Sequence, residues 1–255
     1  MAHTDKVKDF WESRAAEAPT AEVVTHRDIE QVKIEISAVL DLLKAEDTLL
    51  DVGCGTGYAS QIYSKKCKSV TGIDYAENMI EQARKKYAAK NLQFQQQDIL
   101  RPGKGFGPFS VALTSRCLIN LGSWEEQQQA IERIHGVLAD NGRLIFIEGI
   151  KQGRDALNEL RVQSGLEAMP PVWHNIDFDE DKLKNFLKGK FVIEGDRRFG
   201  LYDVLTRVYY PLTIAPREPE YGTVHQVQAR KLMQNLKDDP LPRYSRTVIW
   251  NLRKV

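Results

Sequence analysis

The chain has 255 residues and a formal net charge of +1, its 36 Lys and Arg nearly cancelling its 35 Asp and Glu. That balance leaves no bulk electrostatic case for nucleic acid or a membrane surface as partner, and the length suits one α/β domain with additions. Three cysteines (Cys54, Cys67, Cys117) lack CxxC spacing, which argues against a disulfide framework or a zinc site and for reduced thiols in a cytoplasm.

No apolar leader-like segment opens the chain and no run approaches about 18 apolar residues, so no membrane span is expected. Residues 7–18 read as a short amphipathic helix carrying Phe10, Trp11 and Arg14. A polar link containing Thr25-His26-Arg27-Asp28 follows. Val32, Ile36, Val39, Leu40 and Leu43 then recur at helical spacing, predicting a helix packed on a sheet.

The run 48–52 (Thr-Leu-Leu-Asp-Val) is apolar and β-branched, as expected of a strand buried on both faces. Gly53, Gly55 and Gly57 follow at alternate positions, and residues 58–63 open a helix. Such glycines permit positive φ and let a ligand approach the backbone. A dinucleotide fingerprint would place its third glycine at 58, which is Tyr58. Asp51, just ahead of the glycines, would repel a pyrophosphate and attract an ammonium.

A second strand, 69–74, ends in Asp74, and its helix presents Met79, Ile80 and Ala83. A third, 92–97, ends at Asp98-Ile99. A fourth, 109–114, delivers Ser115-Arg116-Cys117-Leu118-Ile119-Asn120 to the strand ends where open α/β sheets bind ligands. A helix over 124–138 and an Asp140-Asn141-Gly142 turn lead to a fifth strand, 143–148.

Beyond Gly149 the pattern predicts a helix over 151–166 broken by Pro170-Pro171, then the cluster Trp173-His174-Asn175, a helix over 178–187 and a sixth strand from 191. Residues 204–212 read as a hairpin or a cover over the site. Residues 215–242 read as connection plus one helix around 224–236, and 246–252 as the last strand. From Arg197 onward, eleven Lys and Arg stand against five Asp and Glu, leaving room for an anionic acceptor.

The Asp-x-Gly-x-Gly-x-Gly run, with acids at three successive strand ends, resembles the class I S-adenosylmethionine-dependent methyltransferases. The resemblance runs from about Leu49 to Gly149. It implies a Rossmann-like, seven-stranded mixed sheet, the last strand antiparallel beside the fifth, with helices on both faces. It also implies a division into a helical cap (1–47), a cofactor-binding core (48–149), acceptor-side additions (150–242) and a final strand (243–255).

By the same resemblance, S-adenosylmethionine is the expected cofactor and no metal is needed. Asp74 would take the ribose hydroxyls, Asp98 the adenine amino group, and Ile99 the adenine face. Asp51, Gly53, Cys54, Gly55, Gly57, Tyr75, Met79 and Ser115 would complete the cofactor site, with Trp11 and Arg14 contributed by a lid. The expected substrate is a small polar acceptor, such as a sugar hydroxyl, on a monomer or homodimer. N-methylation of a small amine and a non-catalytic binding module are the alternatives. His174 is the first candidate for a base, His26 the second, and Arg116 a candidate to orient an anionic or hydroxyl group.

Overall fold

The computed structural model describes residues 3–17, 27–101, 103 and 106–255. Seven strands form one sheet: β1 (Thr48–Val52), β2 (Ser69–Asp74), β3 (Leu92–Gln96), β4 (Phe109–Ser115), β5 (Leu138–Gly149), β6 (Phe191–Arg198) and β7 (Thr247–Lys254). Their spatial order is β3-β2-β1-β4-β5-β7-β6. The first five are mutually parallel, and β7 runs antiparallel between β5 and β6. The order reverses between β1 and β4, so their carboxyl ends open a crevice there.

The alternation along the strands explains why both sheet faces are covered. Leu50, Ala112, Leu144, Phe146 and Trp250 point into one apolar cluster. Their neighbours Leu49, Val111, Ile145, Ile147 and Ile249 point into the other. Successive strand side chains face opposite ways, so unbroken apolar runs bury on both sides only if helices cover both. On the first face lie α5 (Trp124–Val137), with Ala130, Ile131 and Ile134, and α7 (Glu180–Leu187), with Leu183 and Leu187. The second is covered by α2 (Ile29–Leu42), through Ile34, Ala38 and Val39.

The remaining helices position the site. α3 (Tyr58–Tyr63) starts from Gly57, whose φ of 77° a side chain adopts poorly. α1 (His3–Glu17) lies on α4 (Glu77–Lys86), and the Glu12 carboxylate accepts the first amides of α4, from Glu77 at 2.8 Å and Asn78 at 2.9 Å. A carboxylate at a helix N-terminus satisfies orphan donors and meets the positive end of the dipole. α6 (Lys151–Gln163) follows β5.

Residues 204–212, read from sequence as a hairpin or cover, are helical. α8 (Gly200–Val204) runs into a π-helical turn (Leu205–Tyr209), then α9 (Tyr210–Ile214); α10 (Val224–Asn235) completes the chain's helices among the described residues. Tyr202 and Val208 are buried there. Tertiary burial has overridden the β propensity of the Val-Leu-Thr-Arg-Val-Tyr-Tyr run. No described helix is long and apolar enough to cross a membrane.

Phe146 is fully buried, stacked on Trp250 at 5.9 Å between centroids and edge-on to Phe178 at 5.1 Å. Phe146→Ala is expected to cost about 3–5 kcal/mol, read in urea unfolding as a lower midpoint with an unchanged slope. A loss under about 1 kcal/mol would show that the β5–β7 seam is not the core.

Candidate active site

A cavity of about 750 Å³ opens at the carboxyl ends of β1, β4 and β5. It is toward the upper end of the roughly 300–1,000 Å³ of small-molecule sites, enough for two ligands side by side.

One end is built from the glycine turn. Gly53, Gly55 and Gly57 all have positive φ (72°, 53°, 77°). The Gly53 and Cys54 amides both donate to the Ile73 carbonyl, at 2.8 and 2.9 Å, which fastens the turn to β2. Asp51 accepts from Ser60 Oγ at 2.6 Å. Asp74 accepts from the Gly55 amide at 3.0 Å and the Ala76 amide at 2.9 Å. Burial raises both carboxyls to about 6; the bonds from Ser60, Ala76 and Gly55 oppose that shift without cancelling it. Each Asp74 oxygen keeps lone-pair capacity beyond its single amide bond.

Met79 and Tyr75 also line this end, Met79 packing with Trp11, Ala15 and Ala76. Ser115, Cys54, Trp11 and Arg14 line it as well.

Three predicted cofactor residues fall elsewhere. Gly57 does not line the cavity; a Cβ there would meet Phe94 at 2.5 Å, so this glycine serves helix packing. Ile99 is buried in the core cluster that contains Ile73 and Leu118. Asp98 closes a local turn, accepting the Leu100 amide at 2.9 Å. It is outside the cavity wall, though close enough for its charge to help raise the Tyr75 and Cys117 pKa values, which burial raises most. His26 lies outside the described residues.

The loop after β4 carries the site's most constrained backbone. Arg116 is left-handed (φ 49°) without being glycine, a conformation costing on the order of 1–3 kcal/mol. It is held by its amide on the Ile147 carbonyl (2.7 Å) and by Nη1 on both Glu35 oxygens (2.6 Å each), Glu35 being only 3% exposed. The guanidinium expected to orient an acceptor is thus already committed to a carboxylate. Behind the loop, the fully buried Glu148 accepts the amides of Cys117 (3.2 Å), Leu118 (3.1 Å) and Ile119 (3.2 Å). Burial pushes its carboxyl to about 7 against those bonds.

At the roof, Trp11 Nε1 donates to Asn120 Oδ1 at 2.7 Å, and Asn120 Nδ2 donates to Asn175 Oδ1 at 3.3 Å. His174 lies 4.8 Å from the Phe10 ring and 5.4 Å from Trp11, with Trp173 against it at 5.1 Å. The predicted lid segment and the Trp-His-Asn cluster therefore meet over one cavity.

The far end was not visible in the sequence. Asp28 accepts from Tyr202 Oη at 2.7 Å and from Arg207. Arg246 grips Asp203 through Nε (2.9 Å) and Nη2 (2.8 Å) and reaches Gln31 Oε1 at 3.2 Å. Arg154 pairs with Asp177 at 2.7 Å. One signal was available: Asp28, Gln31 and Glu35, spaced three and four apart, form a polar stripe beside the apolar face of α2, and all three are buried. Among the described residues no group of three or more His, Cys, Asp or Glu could hold a metal ion.

Residues 49–142 match the family model described as a methyltransferase domain. A methyltransferase of Geobacillus sp. (strain WCH70) is 36% identical over 101 residues, covering 38% of this chain and 40% of that protein. The chain thus spans about two fifths of the length of this curated relative. Two solved structures share the fold over nearly the whole chain. One is the magnesium protoporphyrin IX methyltransferase of Synechocystis PCC 6803 with bound S-adenosylhomocysteine (TM-score 0.63, 16% identity, 98% of this chain and 99% of that one). The other comes from the complex of the Haloferax volcanii Trm112 activator with a methyltransferase (TM-score 0.64, 12% identity, 96% of each chain).

The raised acids give a pH signature. A carboxyl with a folded pKa near 6, above an unfolded value near 4, supports folding below about pH 4 and loses that support as the pH rises through 6. Asp51→Asn removes the titration, so its melting temperature should gain on that of the wild type between pH 5 and pH 8 without ligand. A constant difference across that range would contradict the buried, raised carboxyl.

Proposed function

We propose that this chain, a member of the class I S-adenosylmethionine-dependent methyltransferases, transfers a methyl group to a hydroxyl of a small polar acceptor such as a sugar. The observation that carries this reading is the cavity with two chemically different ends. Two buried acids beside exposed backbone mark one, and arginines each partnered by a carboxylate mark the other.

The first end fits the cofactor by its donor set. Asp51 and Asp74 are carboxylates whose ionisation burial opposes, and their protein partners only partly offset that cost. A ligand bringing an ammonium and two ribose hydroxyls supplies what they lack. Asp74 would hold the ribose and Asp51, through the Gly53–Gly55 turn, would face the amino-acid end. Tyr75 and Met79 would flank the base, and Ser115, Cys54, Trp11 and Arg14 would close the pocket. When bound, S-adenosylmethionine supplies an activated methyl group on a sulfonium.

What remains for the chain is alignment, exclusion of water and removal of a proton. Orientation of two bound partners is worth up to about 7–11 kcal/mol. Phe10 and Trp11 roof the cavity, tied down by the Trp11–Asn120 bond, and keep water from the reacting centre. His174, in the roof beside them, would take the hydroxyl proton, an imidazole being suited to that exchange near neutral pH. Arg116, neutralised by Glu35, shapes the wall.

Two measurements test this. Asp74→Ala should weaken S-adenosylmethionine binding by roughly 2–4 kcal/mol, some 30- to 700-fold by calorimetry; an unchanged affinity would remove the cofactor assignment. His174→Ala should slow methyl transfer by on the order of 10²–10⁴ and abolish the acid limb of the pH–rate profile, with cofactor affinity within twofold. A variant as fast as the wild type would show that alignment alone suffices.

A further inference from the structure

At the far end of the cavity an oxygen of Asp177 has no hydrogen-bond donor among the described residues. Asp177 lines the wall, its side chain is 7% exposed, and its Oδ2 is 2.7 Å from Arg154 Nη2. Its other oxygen, Oδ1, is buried and accepts no hydrogen bond from any described residue. Such an acceptor costs about 1–3 kcal/mol, and an unpaired buried oxygen on a carboxylate that lines a cavity calls for a physical account.

The position is rigid. The Ile176 amide donates to the Ile119 carbonyl at 2.6 Å and the Phe178 amide to the Gly149 carbonyl at 2.9 Å, so Asp177 is pinned on both sides. It sits over the end of β5, where a Cβ on Gly149 would come within 2.5 Å of Oδ1. Only glycine at 149 lets the carboxylate lie there. Burial raises the Asp177 carboxyl, and Arg154 and Arg246 oppose that shift without cancelling it.

The surroundings define what could meet this oxygen. Arg116, Arg154, Arg207 and Arg246 each face the cavity with a carboxylate already at hand, in Glu35, Asp177, Asp28 and Asp203. Arg27, itself exposed, and Arg14 at the glycine-turn end also line the cavity. A wall of compensated pairs offers fixed donors and acceptors with little net field, which suits a ligand rich in hydroxyls better than a bare anion.

We propose that Asp177 is the acceptor-recognition residue of this site, its carboxylate receiving a hydrogen bond from a hydroxyl or ammonium of a polyhydroxylated acceptor. This rests on the methyltransferase reading above and narrows its acceptor to a donor-bearing class. Asp177 acts in positioning the acceptor; the proton leaving the reacting hydroxyl is a separate matter.

Asp177→Asn is the informative change. Next to Arg154, an asparagine turns its carbonyl oxygen to the guanidinium and its NH₂ into the cavity, exchanging an acceptor for a donor. Gly149→Ala is the second variant, leaving the carboxylate in the chain but pushing it off its place. The probes are methyl glucoside, glucosamine and uridine-diphosphate glucose, with succinate and benzenesulfonate as anions that bring no donor at neutral pH. Each is titrated into S-adenosylhomocysteine-saturated protein by calorimetry and assayed for labelled methyl transfer.

The expected result is that at least one donor-bearing probe binds the wild type and that both variants weaken it roughly 10- to 100-fold. The Michaelis constant should rise in step, while S-adenosylhomocysteine affinity stays within twofold of the wild type. Equal acceptor binding in wild type and Asp177→Asn would overturn the proposal. So would a wild type that holds S-adenosylhomocysteine but prefers the anions or takes none of the five. Failure of the wild type to bind S-adenosylhomocysteine would instead overturn the cofactor reading, which keeps the two failures apart.

Discussion

The site depends on a buried carboxylate that touches no part of the cavity. Glu148, at the end of β5, gathers the three successive amides of Cys117, Leu118 and Ile119. Three backbone donors left bare in that interior would each cost about 1–3 kcal/mol, and a lone carboxylate there would cost more. Each solves the other's problem. The loop after β4 is therefore locked to the neighbouring strand, and three parts of the cavity wall are registered on that loop. Arg116 reaches Glu35 on α2, Asn120 reaches Trp11 on α1, and Asn120 also reaches Asn175 on the far loop. Three elements distant in sequence are placed by one anchor.

The two ends of the cavity use charge differently. At the glycine turn, Asp51 and Asp74 are buried with neutral partners only, an arrangement that calls for a ligand bringing positive charge and hydrogen-bond donors. At the far end, cations and anions alternate, so that end carries directional hydrogen bonding with little attraction for ions at a distance. Buried ion pairs seldom add much net stability, because desolvation offsets the Coulomb gain. Their retention in a cavity wall is better explained by specificity. Two of the basic residues after Arg197 belong to such pairs, Arg207 with Asp28 and Arg246 with Asp203, while Arg230 with Glu30 and Arg253 with Glu194 pair away from the cavity.

What the sequence made legible follows from how local each cause is. The strands were readable because alternate residues bury on opposite faces, and the Asp51–Gly57 turn because chain geometry demands glycine within a few residues. Asp74 could be placed because it ends a strand beside that turn. Asp98 and Ile99 end a strand too, but whether a strand-end side chain faces ligand or core is decided by packing several elements away, and here they went to a turn and to the core. The ion pairs of the cavity wall stayed hidden since their partners lie far apart, Arg116 and Glu35 by 81 residues and Arg207 and Asp28 by 179. Arg207 also enters by way of a π-helical turn, which no periodicity announces. Asp177 could not have been singled out, because what distinguishes it is an empty acceptor position beside Gly149.

The claim on which the rest turns is that one cavity holds cofactor and acceptor side by side. It is tested most directly by a crystal structure of the protein grown with S-adenosylhomocysteine. The account predicts the ribose hydroxyls on Asp74, the amino group on the Asp51 side of the glycine turn, and the sulfur facing the open space bounded by Asn120, His174 and Asp177. Density elsewhere on the molecule, or in this cavity with the sulfur turned away from that space, would contradict it.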